Sequence, residues 1–354
     1  MEEKLKNWLK ALVEIPSPTG QEKDLQLFLE ENLRRLGFET ELREVAPSRP
    51  NLVAWRGQSP LLIATHSDTL PAKEYSLREE GGFFYGPGVA DAKGQIAALL
   101  SVLEENRSPA TLAFTVDEEG RGEGSKNLHL PPWVKMAVVL EPTELKVAIA
   151  QAGSLDLELS IKGRKAHGAC PREGDNAIIM ALEAITRIWG LNFMRTRHPI
   201  LEWPHVIPYW IKGGDPELYV IPDEATIRLE VQLFPPFTPE KAITEIERAI
   251  ADYGRLKVLD FDPPFEISPQ AEVVKLAERA FLQALGQRVT LTGMPSWTDA
   301  EPLYHKGIEA IVLGAGKLSE AHTERERVSL EELKRLAAVL VVLLSSVADS
   351  VDWL

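Results

Sequence analysis

Cysteine is almost missing from this chain. Cys170 is the only one in 354 residues, so no disulfide framework is available and a reducing compartment is expected. Long apolar runs are missing as well: the longest, residues 337–344, is far short of the ~20 residues a membrane-spanning helix needs. Positive charge is scarce, with 39 Lys and Arg against 53 Asp and Glu and a formal charge of −14. That balance argues against nucleic acid or an anionic membrane as a partner. The opening MEEKLKNWLK is charged and amphipathic and holds no apolar signal-peptide centre, so a cytoplasmic location is expected. What remains is 44% hydrophobic and 26% charged, a globular composition, over a length that favours two domains.

Along the chain, residues 1–37 read as two helices interrupted by Ile15-Pro16-Ser17-Pro18-Thr19-Gly20. Thr19 and Glu22 stand at capping-box spacing ahead of the second. Strand-like pieces at 39–45, 52–55 and 61–64 precede a helix at 95–105, then strands at 111–116 and 136–140. Strands alternating with helices predict an α/β layer on a parallel or mixed sheet. From residue 154 the texture changes. SLDLELSIKG alternates strictly, a helix follows at 175–189, and 192–222 is rich in proline and aromatics. A second alternating strand at 225–233 and a helix at 238–253 complete a β-α-β-β-α-β, ferredoxin-like pattern of about 110 residues. After Pro263-Pro264 the α/β texture returns with a helix at 271–285, a strand at 311–314 and a last helix from 330. The expected architecture is therefore a mixed-sheet α/β domain, 1–153 and 265–354, interrupted by an α+β insert at 154–264. The strand at 155–161 is expected to be an exposed edge of that insert, through which two copies could pair.

Outside the insert, every acidic or histidine cluster falls at a strand end or in the loop after it, the edge where open α/β sheets bind ligands. His66 and Asp68 lie two apart on extended chain and share a face. Asp91 follows Gly86-Pro87-Gly88, and Glu119, Glu141 and His322 end later segments. Taken singly, His66 can be an ordinary strand-end histidine and Asp91 a helix N-cap. Together they make a donor set of imidazoles and carboxylates suited to zinc, cobalt or manganese. Two divalent ions sharing one carboxylate carry four positive charges against three carboxylates, which leaves one unit for a hydroxide, as in two-metal hydrolases. Glu118 is the carboxylate left over beside Glu119 and can act as a base; the pair can equally be a solvated acidic turn.

These segments, in this order, resemble the M20 family of metallopeptidases, in the branch of acetylornithine deacetylase, succinyl-diaminopimelate desuccinylase and acetyl-lysine deacetylase. THSDT resembles the family's His-x-Asp-Thr motif and GPGVADAKG its Asp-x-Lys-Gly motif. DEEG, EPT and AHTERERV match its later metal and base motifs, and KGRKAHGACPREGDNAI resembles its lid motif. The resemblance implies a hydrolase with two divalent ions, zinc first, cobalt or manganese as alternatives. One ion would take His66, Asp91 and Glu141, the other Asp91, Glu119 and His322. Asp68 would orient His66, Glu118 would be the base, and the Asp91–Ala92 peptide would be cis. His167 would reach the partner's site in a homodimer formed through the insert. Thr298, Asp299, Gly314 and Gly316 would form the substrate wall. Tyr219 and Gln232 stand where the family often has Asn and Arg, so the substrate's polar end is read differently here. The implied substrate is a small N-acylated amino acid, an acetylated ornithine or lysine foremost. A dipeptide, or lysine or ornithine on an amino-group carrier protein, is the alternative.

Overall fold

In the computed structural model, which describes residues 1–348, the chain divides into two units. The first is made of Met1–Ile149, Ile267–Thr292 and the stretch from Thr298 onward. Its elements in chain order begin with α1 (Glu2–Val13), α2 (Lys23–Arg35), β1 (Glu39–Ala46), β2 (Arg49–Arg56) and β3 (Leu61–His66). α3 (Lys93–Leu103), β4 (Ala110–Thr115), β5 (Met136–Val139) and β6 (Val147–Gln151) follow. The second unit, Ala150–Glu266 with Gly293–Trp297, holds β7 (Gly153–Lys162), α4 (Ala177–Trp189), β8 (Val206–Gly213), β9 (Glu224–Leu233), α5 (Pro239–Ile250) and β10 (Gly254–Asp262). The chain then returns to the first unit with α6 (Glu272–Leu285), α7 (Ala300–His305), β11 (Glu309–Val312) and α8 (Leu330–Ala348).

The main sheet runs β1-β2-β4-β3-β5-β11-β6. β4, β3, β5 and β11 are mutually parallel, while β1, β2 and β6 run antiparallel to their neighbours. β3, β4 and β5 are buried along their whole length, which is what a strand covered on both faces requires and why the sequence there is a continuous apolar run. α1 packs on α3, and α3 and α6 both pack on α8. The parallel strands share one C-terminal edge. His66 ends β3, Glu118 follows β4, Glu141 follows β5, and the Gly314–Gly316 turn follows β11.

Thr19 and Glu22 do not form the expected capping box. Glu22 is the residue before α2 and makes no side-chain cap bond. Its carboxylate instead accepts the Gly20 N–H at 2.9 Å and the Arg49 guanidinium at 2.5 and 3.0 Å. Thr19 turns its hydroxyl to Asp68 Oδ2 at 2.9 Å. A stronger charged partner wins each side chain from the helix end.

The second unit is a four-stranded antiparallel sheet in the order β8-β9-β7-β10. Leu155, Leu157, Leu159 and Ile161 of β7 pack with Ala181, Ala184 and Ile188 of α4 and Ile246 of α5. This corrects the expected edge. β7 is paired on both sides, with β9 and with β10, and β8 is an outer strand. Strict alternation reports one buried and one exposed face; it carries no information about edge or centre. β8 sits within the stretch of weak periodicity, where Ile207, Tyr209, Trp210 and Ile211 are 44, 54, 44 and 51% exposed.

Candidate active site

The C-terminal edge of the parallel strands gathers the predicted carboxylates and histidines of the first unit. His66 is fully buried at the end of β3, and its Nε2 lies 2.9 Å from Asp91 Oδ1 and 3.8 Å from Glu141 Oε1. His322 Nε2 lies 2.6 Å from Glu119 Oε1 and 3.5 Å from Asp91 Oδ2. The two oxygens of Asp91 thus face different imidazoles, and Asp91 stands between two donor groups. One ligand atom from each of His66, Asp91 and Glu119 lies within 4.8 Å of the others. The Asp91–Ala92 peptide is cis.

Electrostatics sort these groups. Burial works against a charge on His66, but the carboxylates of Glu141, Asp68 and Asp91 outweigh it and hold the imidazolium well above the usual histidine range. Burial also opposes the Asp91 charge, yet His66, Glu141 and His322 keep its carboxyl below the usual value. Glu141 goes the other way, pushed well above the carboxylate range by burial and by the charge of Asp91. Its Oε1 is buried with no hydrogen-bond partner. A buried, orphaned carboxylate oxygen next to a second carboxylate asks for a cation. With imidazole nitrogens on either side, the donor chemistry fits divalent metal ions.

Glu118 stands beside this set, its pKa raised well above the carboxylate range by burial and by Asp299, Glu119 and Asp91, against the pull of His66. Asp68 does more than face His66. The His66 Nδ1 contact is with the Asp68 main-chain oxygen at 3.0 Å, the carboxylate lying further off at 3.5 Å. The Asp68 carboxylate instead accepts the N–H of Glu118 on one oxygen and of Glu119 on the other, each at 3.1 Å. The same loop is held from behind by Asp117, a non-glycine residue at φ 67°, whose carboxylate takes Arg49 at 2.7 Å and the N–H of Arg121 at 3.2 Å.

The proposed substrate wall is placed differently from its neighbours. Thr298 and Asp299 are each 1% exposed. Asp299 meets the Thr115 hydroxyl at the end of β4. Gly314 accepts a bond from Thr143 at 3.3 Å and is closely packed by Gln95, and Gly316 has φ 90°. A cavity of about 390 Å³ opens beside the donors, lined by Thr69, Lys73, Gly88, His322 and Glu324 among others. His167, Tyr219 and Gln232 belong to the second unit. His167 pairs with Val220 in a two-residue ladder, and its ring meets Tyr219 edge-on at 5.9 Å. Gln232 donates to the Pro295 carbonyl at 3.1 Å. Sequence reading passed over Arg49, which carries no motif, and Glu326, whose signal was its place four residues after His322 in AHTERERV.

The family model described as Peptidase family M20/M25/M40 matches residues 62–346. A Pyrococcus furiosus protein named as a LysW-lysine/LysW-ornithine hydrolase is 29% identical over 96% of this chain and 95% of its own. An acetylornithine deacetylase of Shigella sonnei is 26% identical over 94% of each chain. Among solved structures, a tripeptidase from Staphylococcus aureus superposes with a TM-score of 0.82 at 24% identity, over 98% of this chain and 99% of that one.

Proposed function

Because the chain belongs to peptidase family M20/M25/M40, we propose that it is a metal-dependent hydrolase cleaving the amide bond of a small N-acylated amino acid. The observation that carries this reading is Asp91 offering one oxygen toward His66 and the other toward His322, with Glu118 beside it. His66, Asp91 and Glu141 would hold one ion, and Asp91, Glu119 and His322 the other, zinc being the first choice for such donors. Bound there, the ions would supply Lewis acidity toward the scissile carbonyl and lower the pKa of water.

The chain's own residues do the rest. Glu118 accepts a proton from the attacking water as the new C–O bond forms, and its raised affinity for protons suits that task. It then delivers the proton to the leaving amine as the C–N bond breaks. Asp68 keeps Glu118 and Glu119 in register by gripping both of their amides. His167, supplied by the second unit of a partner chain, would donate to the oxyanion. That role needs a homodimer, for which the exposed apolar face of β8 and Ile179 and Leu182 of α4, each 54% exposed, offer a surface.

A second reading, release of lysine or ornithine from a carrier protein, is favoured by the activity for which the Pyrococcus relative is named. The exposed Lys162, Arg164, Lys165 and Arg172 of the second unit are a basic surface that an acidic carrier could use. One experiment separates the readings. Zinc- or cobalt-loaded protein is assayed against acetylornithine, acetyl-lysine, succinyl-diaminopimelate, dipeptides and carrier-linked lysine. Preference for a free acetylated amino acid supports the first, and preference for the carrier-linked amide the second. No turnover of any, or turnover indifferent to chelator, refutes both.

A further inference from the structure

The loop that delivers Asp91 has a problem of its own. Gly88, Ala90 and Asp91 are buried, and their backbone N–H groups find no carbonyl within the loop. Buried amides need acceptors. All three are met by one side chain from far along the chain: Glu326 accepts from Gly88 on Oε2 at 3.2 Å, and from Ala90 and Asp91 on Oε1 at 2.9 and 3.2 Å. Converging backbone N–H groups make an anion-binding concavity, and here the anion is built into the protein.

The placement follows from a short ladder. Arg327, Val328 and Ser329 pair antiparallel with Tyr85, Phe84 and Phe83. The residue before the first strand, Glu326, is thereby brought against the start of the Gly86–Asp91 loop. Glu326 also closes the segment that carries His322: its N–H bonds the Thr323 carbonyl at 3.0 Å, and Arg327 clamps Glu320 at 3.0 and 3.1 Å. One carboxylate therefore joins the loop of Asp91 to the loop of His322, which face each other at 3.5 Å. Both of its oxygens are turned inward to amides.

We propose that Glu326 is the positioning residue of the metal centre, fixing the Asp91 carboxylate relative to His322 through the amides of Gly88, Ala90 and Asp91. Acting through these amides, it decides where the shared carboxylate stands. The inference rests on the two-ion reading above, and the test keeps the two apart.

Cobalt(II) is titrated into metal-free wild type, Glu326→Ala, Glu326→Gln and Arg325→Ala, following the visible absorption bands, with thermal unfolding of the metal-free proteins in parallel. Wild type is expected to bind two ions. Glu326→Ala should lose about 10- to 100-fold in cobalt affinity, the range for residues that orient a ligand, with altered bands. Glu326→Gln keeps an oxygen for Ala90 and Asp91 but turns its amide NH2, a donor, toward the Gly88 N–H, so it should lose about threefold or more, less than Ala. Arg325→Ala should match wild type. A merely structural role would lower the unfolding temperature and leave affinity and bands unchanged; that outcome overturns the proposal. If Glu326→Ala does not fold, Glu326→Gln decides, and wild-type affinity and bands in it are fatal. A wild type that binds no cobalt refutes the two-ion reading, and the inference with it.

Discussion

Replacing Asp68 by Asn changes one atom of a fully buried side chain and tests what that side chain is for. The carboxylate accepts the Glu118 and Glu119 amides at 3.1 Å each and the Thr19 hydroxyl at 2.9 Å. Asn retains one acceptor oxygen and sets an NH2 group against the remaining donors, so at least one charge-assisted bond is lost. Hydrogen bonds to charged groups contribute about 1.5–3 kcal/mol each, and the stability loss should fall in that range, less what is recovered by burying a neutral group. The pH dependence adds a second reading. Burial raises the Asp68 pKa, but His66, Thr19 and the Glu119 amide lower it further, to a net value below the ordinary 3.8. A carboxyl depressed in the folded state stabilises fully above its unfolded pKa, and that contribution is lost as pH falls through the folded one. The gap between wild type and Asp68→Asn should therefore be full at pH 7 and close below about pH 4. In activity, the loosened Glu118–Glu119 segment should cost about 10- to 100-fold in kcat/KM. Urea unfolding across pH and steady-state kinetics of the metal-loaded protein supply the measurements. A variant with unchanged kcat/KM and a stability gap that stays constant from pH 7 to 3 would refute the reasoning.

Glu118→Gln should keep metal content while kcat falls by about 10²–10⁴, the usual loss on removing a general base; full activity would mean another base. Mixing inactive His167→Ala with inactive Glu118→Ala chains should restore about a quarter of wild-type activity under random exchange, since half the dimers carry one complete site; no recovery would place His167 in cis or make the protein a monomer. Ile211→Lys on the exposed face of β8 should shift the dimer to monomer by light scattering, and a wild type that is already monomeric defeats the dimer reading. Leu157→Ala, at a position with no exposure, should destabilise the second unit by about 2–5 kcal/mol in chemical denaturation.

The first unit was legible because its central parallel strands are short, largely apolar runs. The helix expected at 271–285 appears as Glu272–Leu285, and the one expected at 95–105 as Lys93–Leu103. The expected start of α3 fell two residues late, at Gln95, because Gly94 is a poor helix former. Lys93 is buried, its ammonium donating to the Ile15 carbonyl at 2.7 Å, a tertiary partner invisible to periodicity. The donor residues could be read because each is a polar group at the end of a strand or in the loop after one. What holds them could not. Glu326 acts through backbone amides, Arg49 through the carboxylates of Glu22 and Asp117, and Asp299 through the Thr115 hydroxyl, partners that only the folded chain brings close. β8 was missed for a different reason: its exposed aromatics and proline blur the alternation that marks a strand.

The order of strands in the main sheet has a consequence for biosynthesis. β11 lies between β5 and β6, pairing in parallel with the first and antiparallel with the second, yet it is made last of the three. The second unit, whose β10 ends at Asp262, lies almost wholly between them in the chain and can close its own sheet before β11 leaves the ribosome. At about 5–20 residues per second, β5 waits roughly ten to thirty seconds with one edge unpaired. During that interval the nascent chain exposes an apolar strand edge and lacks His322 altogether. In the proposed pair, the ion that needs His322 would find its full donor set only after that segment is made, and the waiting edge is where a chaperone has most to protect.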